Sequence, residues 1–534
     1  VYSLTEGLTG GMVVNNLKEA VERFADRLED PMPKDVLRRQ ELCQLRYAIE
    51  NIHFPKGREA CEIARRRLVF EEFFTLSLAL IRLRRREKAA GAVQMKPVDI
   101  APFEKSLPFS LTGAQQRAIR EILEDLQKPN PMNRLLQGDV GSGKTMVAAA
   151  AAYAAAKNGC QTAVMAPTEI LAGQHYETFK KVLEPLGIRV CLLTGSLTPK
   201  QKTELKEALA AGEYDVAVGT HALVQHSTEF CSLGLVITDE QHRFGVEQRR
   251  KLAGKGESPH SLVMSATPIP RTLALIFYGD LDLSVLDELP KGRQPVETLV
   301  VHSDKRQRAL NFIRQHLDAG EQAYIVCPLI EDTDSELRAA AQYAASLEAM
   351  FPDCRIGLLH GRMKAAEKEA VMENFKQNEI QLLVSTTVVE VGVDVPNATI
   401  MMVENAERFG LAQLHQLRGR VGRGSKKSYC ILVSDNDNEE TRRRLGVMKS
   451  TSDGFVIAQE DLKLRGSGDF FGSRQHGMPA LAIASLTEDT QLLQGAQQAA
   501  RELLAEDPEL TKPGHEAMGV IITKLFDQNK DGWN

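Results

Sequence analysis

The chain has 534 residues, 43% apolar and 26% charged, the balance of a globular protein long enough for three or four domains, which excludes disorder as its main theme. Its formal charge of −5, from 66 basic against 71 acidic residues, excludes a globally basic nucleic-acid binder, so a DNA partner has to be argued from local sites. No apolar run approaches the ~20 residues of a membrane span, and eight scattered cysteines without a CxxC pair fit a reducing cytoplasm better than a zinc ribbon or a disulfide framework.

The first residue is Val1, and no signal peptide follows it; the expectation is a chain that begins inside a longer one. Residues 1–108 read as helical. Leu17–Leu28 and Leu37–Ile49 carry apolar residues at helical spacing, and Ala60–Arg86 reads as one long helix with a basic end at Arg82, Arg84, Arg85 and Arg86. That end is either a solvated helix C-terminus favoured by the macrodipole or a DNA-facing patch. From about 109 the texture changes to short β-rich runs alternating with helices. The first set is Arg134–Gln137, Thr162–Ala166, Val190–Leu193, Asp215–Gly219, Leu233–Thr238 and Ser261–Ser265. The second is Val296–Val301, Ala323–Pro328, Arg355–Leu359, Gln381–Ser385, Thr399–Val403 and Tyr429–Val433. Runs that are apolar throughout suit parallel strands buried on both faces, so two doubly wound α/β domains are expected, joined near 290. The last hundred residues read as mostly helical, with a Gly-rich stretch at Gly466–Gly477.

Gly138-Asp139-Val140-Gly141-Ser142-Gly143-Lys144-Thr145 follows a strand-like run and opens a helix-like one, the context in which G-x-x-x-x-G-K-T cradles phosphate. Glycines let the backbone N–H groups converge on phosphate oxygens, and the helix N-terminus adds partial positive charge. Gly138, Gly141, Ser142, Gly143, Lys144 and Thr145 are therefore nucleotide-binding candidates. Lys144 is suited to the β/γ-phosphates, and the Thr145 hydroxyl to Mg²⁺. Leu235–Thr238 ends in Asp239-Glu240-Gln241-His242. A carboxylate at the carboxyl end of a strand beside the P-loop strand is where Mg²⁺ is held, so Asp239 is the second metal candidate and Glu240 the orienter or base for the attacking water. His415-Gln416-Leu417-Arg418-Gly419-Arg420-Val421-Gly422-Arg423-Gly424 spaces Arg420 and Arg423 three apart. On a helix both guanidinium groups would share one face and could neutralise charge on a transferring phosphoryl group; Gln416 is a further catalytic candidate of this segment. The expected cofactors are ATP and Mg²⁺.

These motifs resemble those of superfamily 2 helicases and translocases. Leu111–Gln115 resembles the adenine-reading segment, with Gln115 as its reader. Ala166–Ala172, Gly219–Ala222 and Ser265–Pro268 resemble first-lobe segments that touch DNA or link hydrolysis to it. Leu358–Met363 and Ser385–Asp394 resemble motifs of the second lobe. Arg243–Arg249 and Pro268–Leu273 are similar to segments shared by two translocase families, RecG and the transcription-repair coupling factor Mfd. Ile52–Pro55, Tyr278–Asp282 and Asp287–Arg293 favour RecG. Asp453–Phe455 through Arg465-Gly466, then Gly472–Gln475, resembles the translocation motif of both families, although the stretch alone would read as a flexible loop.

The resemblance implies two tandem RecA-like domains, at 109–289 and 290–436. A helical segment at 1–108 precedes them, and a small translocation-motif domain at 437–534 follows. It implies Asp394 as a further nucleotide residue, and Thr168, Thr220, Ser265, Thr267, Thr386, Thr387, Arg444, Arg465 and Gln475 as the DNA-coupling set. Each threonine also suits a strand end or helix cap. No five-strand barrel precedes residue 109, so the motor is expected without the family's DNA-splitting wedge. The implied activity is ATP-driven movement on duplex and branched DNA, including forks and Holliday junctions, by a bacterial, nucleoid-associated monomer. Single-stranded-DNA-binding protein is a partner the family implies, and no membrane is. The alternative is a coupling translocase of the Mfd kind.

Overall fold

The apolar runs between 109 and 436 form the strands of two sheets in which every pairing is parallel. The structure is a computed structural model. It describes residues 7–87, 92–225, 227–239, 252, 255–256, 258–266, 281–290, 294–328, 333–386, 394–424, 426–471, 481–486 and 488–528, with backbone alone at 83–87, 333–341, 365, 465–471 and 526–528. These residues fall into two compact units. In one, residues up to 87 pack with residues from 465 onward; the other holds 88–270 and 281–464.

The larger unit contains both sheets. The first is built from β1 Asn133–Gly138, β2 Gln161–Met165, β3 Val190–Leu193, β4 Val216–Gly219, β5 Leu233–Thr238, β6 His260–Ser265 and β7 Asp282–Leu286, in the order β3-β4-β2-β5-β6-β1-β7. The second is built from β8 Val296–Val301, β9 Gln322–Val326, β10 Ile356–Leu359, β11 Leu382–Ser385, β12 Ala398–Val403 and β13 Ser428–Val433, in the order β10-β11-β9-β12-β13-β8. Every residue of β2, β5, β9 and β12 is buried. That explains why these strands read as continuous apolar runs instead of alternating ones. The helix Lys144–Lys157 has Val147 through Ala155 buried. Seven of those nine side chains are alanine, and their small size lets the helix pack on all sides. Together these features are the two RecA-like α/β domains the sequence implied.

Two strand expectations are corrected. β7 is absent from the sequence reading because Asp282 and Leu283 are only half-buried and the run is short. It pairs with β1 on the side opposite β6, so Leu136 lies between Met264 and Ser284. The carboxylate-bearing β5 was expected beside the P-loop strand β1; β6 lies between them.

The smaller unit is helical. Leu37–Ile49 was expected as one helix but forms two, Lys34–Arg39 and Leu45–His53. Glu41 interrupts it with a φ of 52°, a conformation no helix continues through, and the Asp30 carboxylate accepts the Leu45 N–H at 2.8 Å. The long helix Arg58–Glu87 buries Phe70, Phe73, Phe74 and Leu78. It packs against Thr490–Glu506, which buries Leu493, Ala496, Ala500 and Leu503 at helical spacing. Arg65 and Asp489 close this pairing with two hydrogen bonds of 2.7 Å. Arg82, at the basic end of the long helix, pairs with Glu509 at 3.0 Å; the side chains of Arg84, Arg85 and Arg86 lie outside the described residues. The helix Gly454–Phe471 covers the start of the Gly-rich stretch. No helix among the described residues is long and apolar enough to cross a membrane.

Candidate functional site

The carboxyl ends of the strands carry the sequence candidates, as expected for an open parallel α/β sheet. β1 ends at Gly138, and the loop that follows turns into the helix beginning at Lys144. Gly143 is left-handed, with φ 83°, and a side chain there would run into the Gln115 amide, so only glycine fits. Thr112 and Gln115 form a capping box at the start of the helix Gly113–Leu126. The Gln115 carboxamide oxygen accepts the Thr112 N–H at 2.9 Å, and its nitrogen donates to the Ser142 carbonyl at 2.9 Å. Gln115 is thereby fixed against the loop. Lys144 Nζ donates to the carbonyls of Gly138 and Asp139, at 2.8 and 2.9 Å.

Asp239 lies just past β5, its N–H bonded to the Met165 carbonyl at 3.0 Å. Its carboxylate meets His175 Nε2 at 2.7 Å. His175 is buried on the helix Glu169–Leu183. The sequence reading missed it: nothing local marks a histidine inside a helix as the partner of a carboxylate 64 residues away.

Arg420 and Arg423 do not share a helix face, which corrects the sequence expectation. The helix Leu411–Arg418 ends before them, capped at Gly419, and Gly422 at φ 76° turns the chain. The pair of glycines breaks the helix that the spacing alone suggested. Arg420 is buried, while Arg423 lies 3.3 Å from Asp394 and donates Nε to the Gly419 carbonyl at 3.3 Å. Gln416 is half-buried on the helix.

This segment reaches the P-loop. A cleft of about 1130 Å³ is lined by Gly141, Gly143, Lys144, Thr145, Asp239, Asp394, Arg420 and Arg423. His415 Nε2 lies 2.6 Å from Asp139 Oδ1, and a Cβ on Gly419 would come 2.9 Å from the Val140 Cβ. Burial would raise the Asp139 carboxyl. The His415 hydrogen bond, the Val140 N–H and the Lys144 ammonium outweigh burial and hold the group below the ordinary carboxylate range.

The residues fit a magnesium nucleoside triphosphate. Ser142 Oγ is buried with no hydrogen-bond partner among the described residues, in a glycine-walled loop at a helix N-terminus. Thr145 offers a hydroxyl and Asp239 a carboxylate on the same cleft. No cluster of three or more His, Cys, Asp or Glu stands ready for a metal among the described residues. Mg²⁺ does not need one, since it takes one or two protein ligands together with phosphate and water.

The DNA-coupling set is dispersed. The Thr168 hydroxyl caps the helix Glu169–Leu183, accepting from the Leu171 N–H at 3.3 Å. Thr220 and Thr386 are buried, and neither hydroxyl has a partner among the described residues. Ser265 is buried at the end of β6. Arg444, on the helix Glu439–Ser450, donates to the Glu407 carbonyl. Glu240, Thr267, Thr387, Gln475 and the Arg465 side chain lie outside the described residues.

Three family models match: DEAD/DEAH box helicase over 112–276, helicase conserved C-terminal domain over 304–425, and ATP-dependent DNA helicase RecG, domain 3, C-terminal, over 451–533. The chain is 50% identical to the ATP-dependent DNA helicase RecG of Synechocystis over 99% of its own length and 64% of that protein's. To the RecG of Bacillus subtilis it is 48% identical, over 98% of this chain and 78% of that protein. A structure of RecG bound to a three-way DNA junction superposes with a TM-score of 0.73 at 44% identity, covering 92% of this chain and 65% of that one. The chain thus spans about two thirds of the length of several relatives it matches. Nothing among these findings favours the Mfd alternative.

Proposed function

Since the chain belongs to the RecG family of ATP-dependent DNA helicases, we propose that it is a motor that hydrolyses ATP to move on double-stranded DNA. Its proposed substrates are branched: stalled forks, which it regresses, and Holliday junctions, whose branch point it migrates during repair and recombination. The observation that carries this reading is the cleft in which a P-loop from one sheet faces Arg420 and Arg423 from the other. A phosphate cradle alone binds nucleotide; cationic groups from a second lobe make hydrolysis sensitive to how the lobes are placed.

ATP supplies the transferable phosphoryl group, and Mg²⁺ neutralises charge on its oxygens. The proposed roles of the chain's residues follow from their positions. Gly138, Gly141, Ser142 and Gly143 present the loop to phosphate. Lys144 exchanges its carbonyl partners for phosphate oxygens. Thr145 and Asp239 are the metal ligands, and Gln115 holds the loop while reading adenine. Glu240 orients the water that attacks the γ-phosphorus as the bond to the bridging oxygen breaks, giving ADP and phosphate. Arg420, Arg423 and Gln416 act on the phosphoryl group from the second lobe, with Asp394 placing Arg423.

Thr168, Thr220, Ser265, Thr267, Thr386 and Thr387 would pass DNA contact to the cleft, and Arg444, Arg465 and Gln475 would pass lobe movement to the duplex. The corresponding functional divisions are 1–108, 109–289, 290–436 and 437–534. The same reading places the protein in the bacterial cytoplasm, as a nucleoid-associated monomer that meets single-stranded-DNA-binding protein.

The test is steady-state ATP hydrolysis by the 534-residue chain with no nucleic acid, linear duplex, a model fork and RNA. Stimulation by duplex and fork but not by RNA is expected. A basal ATPase that no DNA stimulates would overturn the DNA-motor reading and leave only the nucleotide site. An RNA-selective response would move the chain to another branch of the superfamily.

A further inference from the structure

The hydrogen bond between Asp139 and His415 joins positions 276 residues apart, one on the P-loop and one on the helix that leads into the arginine segment. Both ends are anchored. Asp139 Oδ1 also accepts the Val140 N–H at 2.6 Å, and the Asp139 carbonyl accepts the Ser142 N–H at 3.1 Å, so this carboxylate is part of the loop's own framework. On the other side, Arg418 Nη2 lies 3.1 Å from His415 Nδ1. A guanidinium can only donate, so Nδ1 is the ring's acceptor and Nε2 carries the hydrogen that goes to Asp139. Arg418 is itself buried and held by the carbonyls of Met448 and Thr451, at 2.7 and 2.9 Å. The tautomer and tilt of His415 are therefore set by its own lobe, and its N–H is aimed at the other.

We propose that Asp139 and His415 form an interlobe positioning pair that fixes the register in which Gly419–Arg423 meets the P-loop, and with it the approach of Arg420 to the phosphoryl group. Neither residue is among those that line the cleft. Arg418 belongs to the pair as the group that selects the histidine tautomer. The close approach of Gly419 to Val140 lies in the same register, so a slip at the hydrogen bond displaces the arginine segment as a body. The inference deepens the proposed ATPase and rests on it.

Two measurements on the full chain separate the two ideas. The first needs no nucleotide. Amide hydrogen exchange is followed in His415→Ala and Asp139→Ala. Reciprocal effects are expected, with faster exchange at 138–143 in the His415 variant and at 411–423 in the Asp139 variant. Changes confined to the mutated lobe would overturn the proposal, because a purely local role predicts that result. The second is ATP turnover in both variants and the double variant. The expectation is a ~10–100-fold loss of kcat with KM nearly kept, no further loss in the double variant, and partial recovery in His415→Gln, which keeps a donor. Additive losses, or a rise in KM with kcat kept, would overturn it. Should Asp139→Ala fail to fold, Asp139→Asn, which keeps an acceptor oxygen, takes its place in both measurements. An inactive wild type would refute the ATPase reading and leave the exchange result to stand by itself.

Discussion

Lys144 donates to two carbonyls of its own loop, an arrangement any lysine reaching back over a P-loop satisfies without ligand. Removing the ammonium takes away a group specialised for phosphate and no core packing. Lys144→Ala is therefore expected to abolish turnover with its unfolding midpoint nearly unchanged, read by ATPase assay beside thermal denaturation; retained turnover would refute the site. Arg420→Ala is expected to lose up to ~10³-fold in kcat while nucleotide still binds. Gly419 gives a subtler case. Its missing side chain lets it sit where a Cβ would lie 2.9 Å from the Val140 Cβ, closer than such atoms pack, so Gly419→Ala must push the P-loop and the arginine segment apart by a fraction of an ångström. Displacements of this size at a reacting centre cost about tenfold or more in rate. The expected result is that loss in kcat with secondary structure intact, and a variant with full kcat would show that the register tolerates the shift.

At the scale of elements, two carboxylates tie the apolar-packed helix Arg58–Glu87 to the segment that leads into Thr490–Glu506. Glu72 accepts the backbone N–H groups of Ala482, Ile483 and Ala484 at 2.9 to 3.3 Å. Asp489 takes Arg65 at two oxygens and the Ser485 N–H at 2.8 Å. Burial would raise the Asp489 carboxyl, but the Arg65 hydrogen bonds and the Ser485 N–H outweigh it and hold the group below its ordinary value. A carboxyl depressed in the folded state adds stability that is fully present above its unfolded value of about 4 and is lost as pH falls through the folded value. Asp489→Asn is expected to lower stability at neutral pH by about 1.5–3 kcal/mol, the range for hydrogen bonds to a charged group. It should also flatten the acid limb of the unfolding curve below about pH 5. Denaturant titrations in a pH series from 7 to about 2 check both parts, and a loss that stays the same down to the lowest pH would exclude the charge. None of this pairing was legible in the sequence, where Arg65 and Asp489 are 424 residues apart and look like ordinary surface charges. What was legible followed from local physics: buried parallel strands as apolar runs, the P-loop as glycines between a strand and a helix. The sequence reading went astray where backbone conformation overrode spacing. Glu41 divides a helix that the apolar period ran through, and Gly419 and Gly422 end the helix on which Arg420 and Arg423 were expected. It went astray again where sheet order decides adjacency, since no local pattern places β6 between β1 and β5.

For the whole molecule, the net charge of −5 bears on how the proposed motor meets DNA. It offers no broad positive field, so attraction to duplex has to come from a few local phosphate contacts, and the buried hydroxyls of Thr220 and Thr386 do not present themselves as those contacts in this arrangement of the lobes. Phosphate contacts release counterions, and each adds about 0.9 to the slope of log affinity against log salt. A tracker that holds ~3–5 phosphates is then expected to lose ~40–500-fold in apparent duplex affinity between 50 and 200 mM salt. Hydrolysis without DNA depends on the cleft alone and should change little over that range. The measurement is the duplex concentration that gives half-maximal stimulation of ATPase at several salt concentrations. A steep slope for the stimulated rate beside a flat basal rate would place the salt-sensitive step at the DNA backbone, outside the nucleotide cleft. Equal slopes for both rates would mean that salt acts on the lobes themselves, through pairs such as Arg423 with Asp394, and the local-contact account of DNA binding would fail.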